Sequence, residues 1–110
     1  MSTTSKGRDA EKLVAAHLEK KGHKLVSLNW RTRWCEIDIV SKDKTCVYFT
    51  EVKFRSSSEW GSGFDYITKK KFRQMKFAAE FWIATNKWGK EAQLLAAEVD
   101  ADMNISIHSL

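Results

Sequence analysis

The chain has 110 residues, 43% hydrophobic and 12% aromatic, which suits one domain with a real core rather than several. Nineteen basic against fourteen acidic residues leave a net charge of +5, which favours a polyanionic partner such as nucleic acid. No apolar run approaches the ~20 residues that span a bilayer. The start, Met1-Ser2-Thr3-Thr4-Ser5-Lys6, lacks a signal-peptide core, so a cytoplasmic protein with no membrane partner is expected.

A helix is predicted over residues 5–21. Ala10, Leu13, Val14, His17, Leu18 and Lys21 recur at helical spacing, and Gly22 is a good stop. Glu11 lies at the edge of this stripe, near the helix start, where an acid also complements the helix dipole. An edge-side strand follows over residues 23–30, then a basic turn, Arg31-Thr32-Arg33. His17, His23 and His108 have no zinc-ligand spacing and read as structural or surface residues.

Residues 34–40 and 45–55 are rich in β-branched and aromatic side chains, separated by Ser41-Lys42-Asp43-Lys44. A turn this short makes an antiparallel hairpin. Centring it between Asp43 and Lys44 sets Glu36 opposite Glu51 and Asp38 opposite Phe49. Strand side chains alternate between faces. Asp38 and Glu51 then share a face as diagonal neighbours, roughly 7–8 Å apart. Two carboxylates so placed can reach one divalent cation at ~2.1 Å per bond. The bland reading is a solvated face balanced by Lys53 and Arg55. Against it, Ile37, Ile39, Val47, Phe49, Val52 and Phe54 mark both arms as central strands. Charges clustered at the end of a buried strand are costly unless paired or metal-bound. In this register Cys35 and Cys46 stand about 20 Å apart, too far for a disulfide, and read as reduced.

Residues 56–64 form a small-residue loop in which Trp60 either meets nucleic acid or anchors the loop. A second helix is predicted over residues 68–86, with Thr68 as N-cap and Phe72, Met75, Ala79 and Trp82 on one apolar stripe. Phe77 and Phe81 make a second stripe, read as part of a wide buried face or, alternatively, as a homodimer surface. Lys69, Lys70, Lys71 and Arg73 crowd a helix start that the dipole makes unfavourable for cations. Phosphate contact explains them, as does a solvated charged face. Arg31, Arg33 and Arg55 are the other candidate phosphate contacts. Two closing strands are expected over residues 91–100 and 104–108, although the Ala-rich start of the first also suits a helix.

Asp38 followed by Glu51-Val52-Lys53 resembles the PD-(D/E)xK nuclease signature. Gly7, Glu11, Gly22, Asn29-Trp30, Glu36-Ile37-Asp38, Glu51 to Arg55, Gly61, Lys71 and Ala79 together resemble the YraN-like family. Its small bacterial proteins are related to Holliday-junction resolvases. The resemblance implies one α/β domain, restriction-endonuclease-like, with a central mixed sheet and flanking helices. It also implies Mg²⁺- or Mn²⁺-dependent hydrolysis of phosphodiester bonds in duplex or branched DNA. Asp38 and Glu51 would hold the metal, aided by Glu11 and the Val52 carbonyl, and Lys53 would serve the attacking water. Glu36 would stand behind them. A non-catalytic nucleic-acid-binding module and an interaction protein are the alternatives. Where the family has Gly-Gly before Glu-Ile-Asp, this chain has Trp34-Cys35. Trp34 is then either a packed aromatic or a stacking surface for a base.

Overall fold

The computed structural model of the chain describes residues 2–55 and 67–110, with side chains from Gly7 onward. The elements are α1 (Ser2–Lys20), β1 (Lys24–Arg31), β2 (Glu36–Lys42), β3 (Cys46–Arg55), α2 (Lys69–Asn86), β4 (Glu91–Asp100) and β5 (Ile105–Ser109). The loop expected over residues 56–64, Trp60 included, lies outside the described residues. Among those described, no helix is long and apolar enough to cross a membrane.

The strands form one five-stranded sheet in the order β1-β2-β3-β4-β5. β3 and β4 run parallel, joined across α2, and the other neighbours are antiparallel. The sheet is therefore mixed, with the β2–β3 hairpin at its heart, as expected. Val47 and Phe49 pack against Met75, Ala78, Ala79 and Trp82 of α2. Val52 and Phe54 pack on the cluster that Ala10, Val14, Ala15 and Leu18 of α1 build with β4. Since strand side chains alternate, the two helices cover opposite faces. The Ala-rich start of β4 is strand because it lies between β3 and β5, a tertiary override of helix propensity.

The helix ends follow their sequence signals. Gly22 takes φ +98°, and the N–H groups of Gly22 and His23 donate to the carbonyls of Glu19 and Leu18. This pairing satisfies two carbonyls that the end of α1 would leave orphaned. At the start of α2, the Thr68 hydroxyl accepts from the Lys71 N–H at 3.0 Å.

The hairpin register differs from the expected one by two residues. Lys42 faces Val47, Ser41 faces Tyr48, and Ile39 faces Thr50. The cause is Asp43. Its Oδ1 accepts from the backbone N–H of Thr45 and of Cys46, each at 2.9 Å, and its Oδ2 accepts from the Tyr48 hydroxyl at 2.9 Å. These bonds hold the Asp43 carboxyl at about 2 and fix the turn at Lys44-Thr45. A shift of two preserves every face, whereas a shift of one would invert them.

The second aromatic stripe of α2 is not part of a buried face. Phe77 is 47% exposed and Phe81 43%. Phe81 meets Trp30 and Phe77 meets Trp34, both at the periphery. The helix turns only Met75, Ala78, Ala79 and Trp82 fully inward, and its outer phenylalanines fall beyond the edge of the sheet contact. Phe49→Ala, which empties a fully buried site against Trp82, should cost about 3–5 kcal/mol. Phe81→Ala should cost about 1 kcal/mol. Urea unfolding of both variants measures the contrast, and equal costs would place Phe81 in the core.

Candidate functional site

The β2–β3 ladder ends at Ile39–Thr50. Asp43 N–H donates to the Cys46 carbonyl, so residues 41/48 and 39/50 are the hydrogen-bonded pairs above it. On that register the next such pair is Ile37 with Val52. Instead, the Val52 N–H donates to Asp38 Oδ2 at 2.8 Å. A side-chain carboxylate takes the place of a ladder carbonyl, and β2 departs from β3 at that point. On the β1 side, Leu28 faces Ile39 and Trp30 faces Ile37, which sets Asn29 opposite Asp38. Asn29 adopts φ +53°, a left-handed conformation that asparagine tolerates better than most residues.

Asp38 in this split meets side chains from both faces of the sheet. Continued one step past the end of the ladder, the same register sets Glu51 opposite it, where the sequence suggests a diagonal neighbour. Burial raises the Asp38 pKa, the Glu36 charge adds to that, and the Val52 N–H and the Lys71 charge oppose it. Glu51 is pushed up to about 7 by burial first and by the Asp38 charge second, against the pull of Lys71. Lys71 Nζ lies 3.3 Å from Glu51 Oε2. From α1, Glu11 reaches the pair. Burial and the Asp38 charge raise its pKa, while a hydrogen bond with Asn29 lowers it. The Glu36 charge also raises the pKa of Glu11 and of Glu51. Among the described residues, however, no three Asp, Glu, His or Cys side chains converge closely enough to enclose a metal ion. The ion-binding geometry the residues offer is the Asp38–Glu51 pair, with the Val52 carbonyl on the same stretch of strand.

The cations separate. Lys53 is exposed at the outer end of β3, and Lys71 is the ammonium that meets Glu51. Lys70 and Arg73 line a groove with Trp34, while Lys69 lines another, beside Phe72 and Leu110. Arg55 is drawn into the fold by Glu98 at 3.1 Å, and Arg31 lies 3.7 Å from Glu36. The Arg33 guanidinium sits 5.9 Å from the Trp34 ring centre. In the sequence Asn29 carries only the family resemblance, and Lys71 stands both with that resemblance and with the candidate phosphate contacts. An asparagine at a strand position is a local hint of αL backbone, but its pairing with Asp38 depends on cross-strand register. The Trp34-Cys35 turn needs no glycine. Thr32 Oγ1 accepts from the N–H groups of Trp34 and Cys35, and neither residue has a positive φ.

A family model described as "Uncharacterised protein family UPF0102" matches residues 10–102. The chain belongs to this family. It is the YraN-like family of the resemblance, and the match spans Glu11, Asp38, Glu51, Lys53 and Lys71. A UPF0102 protein of Pseudomonas fluorescens (strain Pf0-1) is 35% identical over 77 residues, covering 70% of this chain and 64% of that protein. A UPF0102 protein of Dechloromonas aromatica (strain RCB) is 39% identical over 82 residues, 74% of this chain and 68% of its own length. One from Sulfurihydrogenibium sp. (strain YO3AOP1) is 37% identical over 92 residues, 83% and 80% of the two chains. The matched part of the chain thus spans just under two thirds of the Pseudomonas relative and more of the other two.

The buried carboxyl pair has a consequence for stability. The folded Glu51 pKa of about 7 lies above its usual 4.5, so folding disfavours the ionised form. The contribution of this group is full below 4.5 and is lost as pH rises through about 7. The melting temperature should therefore fall from pH 5 to pH 8, and Glu51→Gln should flatten that fall. Differential scanning calorimetry across this range checks it. An unchanged slope in Glu51→Gln would mean that the carboxyl titrates as an exposed one.

Proposed function

We propose that this UPF0102 protein hydrolyses phosphodiester bonds in DNA, duplex or branched, using Mg²⁺ or Mn²⁺ held by Asp38 and Glu51. The observation that carries this reading is the Asp38–Glu51 carboxyl pair at the split between β2 and β3. Both groups are desolvated, and the Asp38 charge adds to the rise in the Glu51 pKa. Like charges forced together in a half-buried site are costly unless a cation joins them. The donor chemistry fits Mg²⁺, which is commonly held by one or two carboxylates and keeps several waters. Asp38, Glu51 and the Val52 carbonyl would hold the ion, with Glu11 behind them. When bound, the ion supplies Lewis acidity toward a phosphoryl oxygen and acidifies water.

The chain's own residues do the rest. The Val52 N–H fixes the direction of the Asp38 carboxylate. Lys71, 3.3 Å from Glu51, brings a positive charge to the oxygens of an incoming phosphate. Lys53, exposed on β3, orients the attacking water as the resemblance implies. Lys70 and Arg73 contact the phosphate chain.

A second reading has its own support. Three ligating side chains do not converge among the described residues, and Lys71 already neutralises Glu51 in part. Both facts suit a nucleic-acid-binding module that keeps the fold without cutting.

Calorimetric titration with Mg²⁺ or Mn²⁺ near pH 6.5 separates the two. Because Glu51 is pushed up to about 7, ion binding should release up to one proton, read as a dependence of the heat on the buffer. Asp38→Asn should abolish binding and metal-dependent cleavage, while DNA binding survives or rises. A wild-type cleavage rate in Asp38→Asn would refute the assignment. If the wild type cuts no duplex, single-stranded or branched DNA, the module reading stands.

A further inference from the structure

Beside the carboxyl pair lies a groove of about 430 Å³ lined by Trp34, Cys35, Lys70, Arg73, Gln74 and Phe77. Its volume falls within the ~300–1,000 Å³ of clefts that take small ligands. Its helical wall is residues 70, 73, 74 and 77, which are spaced i, i+3, i+4 and i+7 and so form one stripe of α2. Its other wall is the turn before β2. Trp34 is 59% exposed and Phe77 47%, and their rings meet edge to face at 5.4 Å. Two large aromatics so exposed contribute little to the core. Cys35, in the groove wall, feels the charges of Lys71, Glu51, Glu36 and Asp38, so the groove lies next to the acids.

We infer that this groove takes an unpaired nucleobase of the DNA, with the adjoining phosphate on Lys70 and Arg73. The inference deepens the proposed function, on which it rests, by specifying a substrate with unpaired nucleotides beside the cleaved bond. The chemistry is complementary at each point. Exposed aromatic faces stack on any base. Two cations on the helix stripe match one backbone phosphate or two successive ones. The Gln74 amide has both a donor and an acceptor for a base edge. A paired base keeps its faces in the stack and cannot enter, so the groove discriminates by exposure of the base rather than by sequence.

The test is binding in EDTA, which removes cleavage from the readout. Labelled duplex, and the same duplex carrying a short single-stranded flap, are titrated with wild type, Trp34→Ala, Trp34→Phe and the double variant Lys70→Ala with Arg73→Ala. Trp34→Ala should weaken flap binding roughly 5- to 100-fold, the range for loss of one stacked base, and leave duplex binding unchanged. Trp34→Phe should restore most of it, with thermal melts confirming that all variants fold. The double variant should weaken both DNAs and reduce the dependence of log affinity on log salt by about 1–2. Equal affinity of Trp34→Ala and wild type for the flap overturns the inference and leaves hydrolysis at the carboxyl pair open. Equal weakening on flap and duplex also overturns it. Wild type that binds neither DNA, with Trp34→Ala converting a dimer to a monomer in sedimentation, overturns both readings and makes the groove a contact between two copies. Flap-selective binding without any cleavage in Mg²⁺ supports the groove while refuting hydrolysis.

Discussion

The hydrogen bond from the Val52 N–H to the Asp38 carboxylate, at 2.8 Å, is the contact on which the site depends. A sheet that ends early leaves backbone donors without partners, and a buried unpaired N–H is costly. Asp38 supplies the partner, so β2 can leave β3 without that loss. The same bond aims the carboxylate into the gap and opposes the rise in its pKa. Fold and site are thus joined at one residue. An apolar side chain there would remove the acceptor and would force the strands either to zip further or to leave the Val52 N–H unsatisfied.

Much of this was legible because β structure carries a period of two. Glu36, Asp38, Glu51 and Lys53 fall on like positions of adjacent strands under any even register, and the register error was even. Asp43 was the missed signal. Its carboxylate binds the backbone two and three residues on, a habit of aspartate that starts a turn. Reading it so would have set the turn at Lys44-Thr45 and placed Asp38 opposite Glu51. The helices were equally legible, since Gly22 and Thr68 mark their ends by local chemistry alone.

What the sequence hid depends on packing between distant elements. That Lys71 and not Lys53 meets Glu51 follows from how α2 lies on β3, and residue spacing carries no such information. The run of basic residues at the start of α2 looks like one patch, yet helical geometry sends its members in different directions. Lys71 turns toward the acids, Lys70 and Arg73 toward Trp34, and Lys69 toward Leu110. Arg55 reads as a surface cation until β4 brings Glu98 beside it, a parallel pairing made through the whole of α2.

The distribution of charge ties these pieces together. The chain as a whole is cationic at +5, yet the charges of Asp38 and Glu36 reach both Glu11 and Glu51. Of the cations nearby, Lys71 lies within 3.3 Å of one of these acids and the exposed Arg31 within 3.7 Å of another. A polyanion drawn to the protein by its net charge, as proposed, would meet repulsion at these acids. Two things can relieve it, a proton on the Asp38–Glu51 pair or a cation between the two carboxyls. The proton is only half available near neutral pH, because Glu51 titrates at about 7. A divalent cation held there, as proposed, would offset the charge of both carboxyls and add attraction for a phosphate. In the proposed reaction, a cation between the two carboxyls would therefore ease the approach of a phosphate to these acids.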